Sequence, residues 1–341
     1  MAAAADYLDH LPFPILIGDI GGTNARFALI NHADAPIERL PNVHAADLPT
    51  LDDAVEKAVI ERGAPSPKSA ILALAGPIAG DRVALTNSSW VVEPRKSIAR
   101  FGLAEMILLN DFEAQALALP DLKPGDLDPI GGGTSRPDAV RVVLGPGTGL
   151  GVGALVRARG IWVPVPGEGP HIDLGPVTPR DMALWPNAER VHGRITAEAM
   201  LSGPGMFRLY RAICKTDGVK PRQPTQEAVA ASGLAGSDPQ ATETLTLFAT
   251  YLGRVAGDLA LIFMAYGGVF LGGGISGKIA PVLKAGAFRD AFTAKAPYDA
   301  LLRQMATAII TKEDAALGGI AAFARAPGRF DVNLDGRRWR G

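Results

Sequence analysis

A chain of 341 residues that is 48% hydrophobic can bury a large core and exceeds the usual size of one domain, so two domains are expected. Thirty-four Lys plus Arg against 35 Asp plus Glu leave a formal net charge of -1, and no basic stripe is interleaved with aromatics, which argues against nucleic acid as a partner. The single cysteine, Cys214, excludes an intrachain disulfide framework and any cysteine-based zinc cage, and it fits a reducing cytoplasm.

The opening "MAAAADYLDHLPFP" has no basic leader and carries Asp6 and Asp9 before any apolar stretch, so it does not read as a signal peptide. Then "LIGDIGGTNARFALI" sets a glycine turn between two apolar runs, predicted as strands over 15–19 and 25–30. A helix is predicted over 51–62, strands over 70–75 and 106–110, and a helix over 112–119. The Pro/Gly-rich stretch 119–138 reads as a loop near a domain junction. Beyond it "VVLGPGTGLGVGALV" repeats the opening pattern, with strands over 141–144 and 151–156. Helices over 195–201, 205–216 and 242–266 and a strand over 269–271 follow. The alternation is that of an α/β protein. The longest uncharged stretch, 259–277, could cross a bilayer by length, but Gly267, Gly268, Gly272, Gly273 and Gly274 parse it as a helix end, a turn, a strand and a glycine turn, and no membrane partner is expected.

The first glycine turn is followed by a strand, whereas the dinucleotide fingerprint and the Walker A loop both lead into a helix, so neither explains it. The one literal G-x-G-x-x-G, from Gly272 to Gly277, leaves too few residues after it to complete a dinucleotide domain. A glycine turn between antiparallel strands is either a plain tight hairpin or a nest of backbone N–H groups for an anion. Two such turns, with Thr23 and Thr148 as added donors, would suit a triphosphate, and Asp19 is placed to orient Mg2+ directly or through water. Asp111 follows Asn110 ahead of a helix and reads equally as an N-cap or as a base. Glu168 and His171 in "GEGPH" suit a polyol better than a metal, because Gly167, Gly169 and Pro170 oppose a ligand-bearing helix. Glu198 alone is ambiguous. The tail "GRRWRG" reads as a solvated end.

"GDIGGTNAR", "LNDFEAQALALP", "GPGTGLGVG", "PGEGPHIDLGP", "AEAMLSGPGMFRLYRAI" and "VFLGGGI", in this order, resemble the motifs of the bacterial ATP-dependent glucokinase family, within the actin/hexokinase sugar kinases. The related ROK branch carries a cysteine-rich zinc motif that a chain with one cysteine cannot supply. The resemblance implies a two-domain actin-like ATPase (ribonuclease H-like) α/β fold with a cleft. The expected domains are a small one, 1–120 plus about 312–341, and a large one, about 121–311. It implies that Gly18, Asp19, Ile20, Gly21, Gly22, Thr23, Gly147, Thr148 and Gly149 meet the nucleotide phosphates and that Gly272, Gly273 and Gly274 lie against the adenosine. It implies that Asn110, Asp111, Glu168, His171 and Glu198 hold glucose and that Asp111 is the base. ATP with Mg2+, a cytoplasmic location and a homodimer follow from the same resemblance. Three departures are the "TNSSW" stretch 86–90, with Ser88 where some relatives carry histidine, the irregular stretch before Glu198, and the tail after Gly328, which looks like an addition. Another hexose or polyphosphate, or a non-catalytic actin-like ATPase, are the other readings. A sugar-responsive DNA-binding regulator would need a helix-turn-helix segment ahead of the first strand.

Overall fold

The structure is a computed structural model that describes residues 11–85 and 88–341. The leader reading over residues 1–10, and Thr86 and Asn87 of "TNSSW", lie outside the described residues. Ser88 is described, and its Oγ accepts a bond from the Trp90 N–H at 3.2 Å.

The chain divides into two compact units, one of Met1–Leu122, Gly153–Pro166 and Lys312–Gly341, the other of Lys123–Val152 and Gly167–Thr311. Residues 153–166 therefore belong with the first unit, where the sequence reading counted them with 121–311, and the units are close in length rather than small and large. The cause is a single strand, Leu150–Ala158, that starts in one unit and continues in the other with no shift in composition to mark the crossing.

The elements used below are, in chain order, β1 (Ile15–Ile20), β2 (Asn24–Ile30), β3 (Ser69–Leu74), β4 (Glu105–Asn110), α1 (Asp111–Ala118), β5 (Arg141–Pro146), α2 (Ala197–Met200), α3 (Gly203–Thr216), α4 (Pro239–Phe263), β6 (Gly268–Leu271), β7 (Thr307–Ile310), α5 (Ala315–Arg325) and β8 (Arg338–Arg340).

In the first unit the sheet runs β8-β4-β3-β1-β2. β1 pairs antiparallel with β2, while β1, β3 and β4 are mutually parallel. "SAILAL" in β3 is buried at every position, as a parallel strand covered on both faces must be. One face packs on Leu16, Phe27, Leu51, Val55, Leu72 and Trp90; the amphipathic run over 51–62 supplies part of it, as an α-turn Leu51–Val55 that widens into a π-turn, Glu56–Ile60. The tail is a correction. β8 adds an antiparallel edge strand to β4, and Trp339, only 5% exposed, joins the core and donates its Nε1–H to Asp81. "GRRWRG" is thus not a solvated end, because its cations have buried acidic partners far away in sequence: Arg337 with Glu113 and Arg338 with Glu105.

In the second unit β6 lies between β5 and β7, parallel to both. The stretch read as a loop, 119–138, contains a strand, Leu127–Gly131, antiparallel to β7. It carries Pro129, which only an edge strand tolerates. The 25-residue α4 is the one described helix long and apolar enough to cross a membrane, and 61% of its most apolar window is buried in the protein.

Candidate active site

In the first unit the register aligns Ile20 with Leu74 and Leu74 with Asn110. The first glycine turn and Asp111 therefore leave the same end of the sheet, the carboxyl ends of the parallel strands, where open α/β sheets bind ligands. The turn is closed by Gly21 N–H donating to Asn24 C=O at 2.9 Å, and Thr23 C=O accepts from Ala45 N–H at 2.9 Å. Asp19, opposite Arg26 on β2, has Oδ2 3.1 Å from the Arg26 Nη1. Arg26 Nε reaches Asp314 at 3.5 Å, and Arg39 Nε reaches the same carboxylate at 3.2 Å. Burial pushes the Asp19 carboxyl above its ordinary range, with Arg26 pulling the other way.

Among the described residues no three His, Cys, Asp or Glu side chains gather as a metal cage. An Mg2+ carried by nucleotide phosphates needs only one or two carboxylates and keeps several waters. Asp19, with one oxygen already on Arg26, fits contact through water.

Asp111 is the first residue of α1, and the N-cap is Asn110, not Asp111. Asn110 Oδ1 accepts from Phe112 N–H at 2.9 Å and from Glu113 N–H at 3.2 Å, while Glu113 Oε2 accepts from Asn110 N–H at 3.3 Å. This capping box fixes the first turn on which Asp111 sits, with Asp111 Oδ1 3.0 Å from Phe112 N–H. Glu113 is a residue the sequence reading left without a role. It is buried, burial raises its pKa, and Arg337 opposes that rise.

In the second unit the turn after β5 is held by Gly147 N–H donating to Gly149 C=O at 2.7 Å and by Gly203 N–H donating to Gly147 C=O at 2.8 Å. Glu198, on the short helix α2, accepts from Leu150 N–H on Oε2 at 2.9 Å. The contact is close enough that a Cβ at Gly149 would stand 2.6 Å from that oxygen. α2 is started by Thr196, whose Oγ1 caps Ala199 N–H, and Ser202 Oγ donates to Glu198 C=O at 2.9 Å. Glu168 and His171 flank a 3-10 turn with Nε2 and Oε2 3.6 Å apart, both more than half exposed. Ala197 N–H donates to Ile172 C=O at 2.9 Å, so the structure brings this turn beside α2. The three second-unit sugar candidates thus lie on two bonded segments, and one of them, Glu198, touches the turn after β5. Gly272 stands as the N-cap of a six-residue helix that Gly273 and Gly274 begin, and Gly273, at φ +76°, could not carry a Cβ without meeting Pro146 C=O at 2.4 Å.

A model of the glucokinase family matches residues 16–327. The glucokinase of Brucella suis biovar 1 (strain 1330) is 53% identical over 340 residues, covering 100% of this chain and 99% of that protein. The glucokinase of Sinorhizobium fredii (strain NBRC 101917 / NGR234) is 53% identical over 340 residues and covers 100% of both. Among solved structures, glucokinase from an Antarctic psychrotroph is 34% identical with a TM-score of 0.79, over 91% of this chain and 98% of that one. A ROK family glucokinase from Streptomyces griseus, solved with glucose and AMPPNP, shares the fold at 21% identity and a TM-score of 0.62, over 92% of this chain and 99% of that one. The fold is the two-domain α/β fold of the actin-like ATPases.

Proposed function

The chain belongs to the glucokinase family, and we propose that it transfers the γ-phosphate of ATP to the 6-hydroxyl of glucose, giving glucose 6-phosphate and ADP, with Asp111 as general base. One observation within the first unit carries the assignment of Asp111. It stands at the head of α1, immediately after the residue whose strand row ends in the glycine turn, so base and phosphate turn share one sheet end.

In this reading Asp111 accepts the proton of O6 while that oxygen attacks the γ-phosphorus. The O6–P bond forms as the bond to the β-phosphate oxygen breaks, and ADP leaves with that electron pair. The transition state is loose, so positioning and electrostatics supply most of the acceleration. Asn110, Glu168, His171 and Glu198 hold sugar hydroxyls through charge-assisted or directed hydrogen bonds. Backbone N–H groups of the turns around Gly21 and Gly147 take the phosphates, and Gly272 to Gly274 allow the adenosine a close approach. Mg2+ arriving with ATP would neutralise phosphate charge, and Asp19 would orient it through water. The same reading makes the enzyme a cytoplasmic homodimer.

The test is purified protein with ATP, Mg2+ and glucose, reading ADP release. Asp111→Asn is expected to keep the fold and glucose binding while losing about 10^2 to 10^4-fold in kcat. Near-normal kcat in that variant would remove Asp111 from the role.

A further inference from the structure

We propose that Arg337, ten residues beyond the end of the family match and immediately before β8, is a positioning residue for Asp111. The inference rests on Asp111 being the base.

The path is short and made of directed bonds. Arg337 Nη1 lies 2.6 Å from Glu113 Oε2, and Nη2 lies 3.3 Å from Oε1, a two-pronged pair in which Glu113 is 1% and Arg337 13% exposed. The oxygen that takes Nη1 also accepts the Asn110 N–H. Asn110 and Glu113 close the capping box around Asp111. The guanidinium is therefore two hydrogen bonds from the backbone N–H of Asn110, the residue before the base.

Arg337 is itself fixed. Its C=O accepts from Leu108 N–H on β4 at 3.0 Å, its N–H donates to Leu334 C=O at 3.0 Å, and its Nη2 also donates to Asn333 C=O. β8 continues the pairing from Arg338 opposite Ile107. The tail thus grips the strand that delivers Asn110 and the helix that begins with Asp111, from one residue.

The chemistry explains why a carboxylate is spent there. A capping Glu needs its charge and its rotamer, and in this position it is buried. An arginine fork supplies both, because its planar N–H pair matches the carboxylate in one orientation. Without it the Glu113 side chain either loses its charge or turns, and the first turn of α1 is free to shift. A small misplacement of a reacting group is costly: about 1 Å can cost about 10^2-fold in rate.

The test compares Arg337→Met with Arg338→Met, its neighbour in the same tail, whose partner Glu105 is at the opposite end of β4. Each loses one buried tail ion pair, so a merely structural tail predicts equal effects. With both variants assayed at a temperature where circular dichroism shows them folded, Arg337→Met is expected to lower kcat at least about tenfold with both KM values held within about threefold. Arg338→Met is expected to keep kcat within about threefold. Arg337→Met/Glu113→Gln, which removes both charges and leaves a side chain able to cap, is expected to recover most of the loss.

An unchanged kcat in Arg337→Met, equal losses in the two single variants, or a double variant no better than Arg337→Met each overturns the proposal. If Arg337→Met does not fold, Arg337→Lys, which keeps the charge and loses the fork, replaces it and is expected to lower kcat about threefold to tenfold; no change overturns the proposal. Asp111→Asn in the same assay separates the premises: high turnover there removes the base assignment, whereas an inactive Asp111→Asn beside a normal Arg337→Met removes only the positioning role.

Discussion

The turn after β1 and the turn after β5 share a Gly-Thr pair, Gly22-Thr23 and Gly147-Thr148, and a strand follows each. Their surroundings hold them by different forces. Beside the first, Asp19, Arg26, Asp314 and Arg39 form a chain of alternating charges that is partly exposed. Beside the second there is one directed bond from a backbone N–H to the Glu198 carboxylate, with a gap too narrow for any side chain at Gly149. A repeated sequence motif has thus acquired one electrostatic support, sensitive to pH and salt, and one steric and hydrogen-bonded support that ends on a proposed sugar ligand.

The sharpest break in that contrast is Gly149→Ala. Its methyl must displace either the Glu198 carboxylate or the turn, so kcat/KM is expected to fall by about 10^2-fold while the circular dichroism spectrum is kept. Steady-state rates matching the parent would mean that the 2.6 Å approach is not maintained in the working enzyme.

Next in size is Glu198→Gln compared with Glu198→Ala. The amide oxygen of Gln can still accept the Leu150 N–H, so the glucose KM is expected to rise about tenfold or more with the ATP KM moving less than about threefold. Ala removes the acceptor and is expected to raise both. If Gln and Ala change the ATP KM equally, the bond does not support the phosphate turn.

The electrostatic side is tested by Arg26→Met as a function of pH. Burial raises the Asp19 pKa above its ordinary value of 3.8, with Arg26 holding it down. A carboxyl whose pKa is higher in the folded state binds its proton more tightly there. Its favourable contribution is complete below the unfolded value and is lost as pH rises through the folded value. Removing Arg26 raises the folded value further, so the variant falls behind the parent as pH climbs. The deficit expected from denaturant unfolding is about 1–3 kcal/mol near pH 7 and shrinks towards about pH 4. A deficit independent of pH would mean that the charge on Asp19 is not what Arg26 supports.

These contrasts also show what the sequence made legible. The strands of both glycine turns and the Asn110-Asp111 corner could be read because each is an apolar run broken by a polar or glycine residue within a few positions. The position of Glu198 was legible only through the resemblance, since a four-residue helix has too little period to show which face is buried. The tail was misread for a different reason. Its three arginines look solvated when the partners of Arg337 and Arg338, Glu113 and Glu105, stand 224 and 233 residues away, and no local pattern carries that pairing. The strand over Leu127–Gly131 was hidden by its own Pro and Gly, which mark a loop unless the partner strand is known.

The smallest stability effect belongs to His171, and it bears on whether the exposed turn of the second unit is built for support or for ligand. Its Nε2 is 3.6 Å from Glu168 Oε2, and the side chains are 52% and 59% exposed. A pair this open contributes about 0–1 kcal/mol at most. His171→Ala is therefore expected to change the unfolding free energy by less than about 0.5 kcal/mol, while the glucose KM rises because a donor to the sugar is lost. A side chain that stabilises nothing yet governs substrate affinity has its partner outside the protein. If unfolding moved and KM did not, the turn would be scaffold, and the sugar contacts of this unit would rest on Glu198.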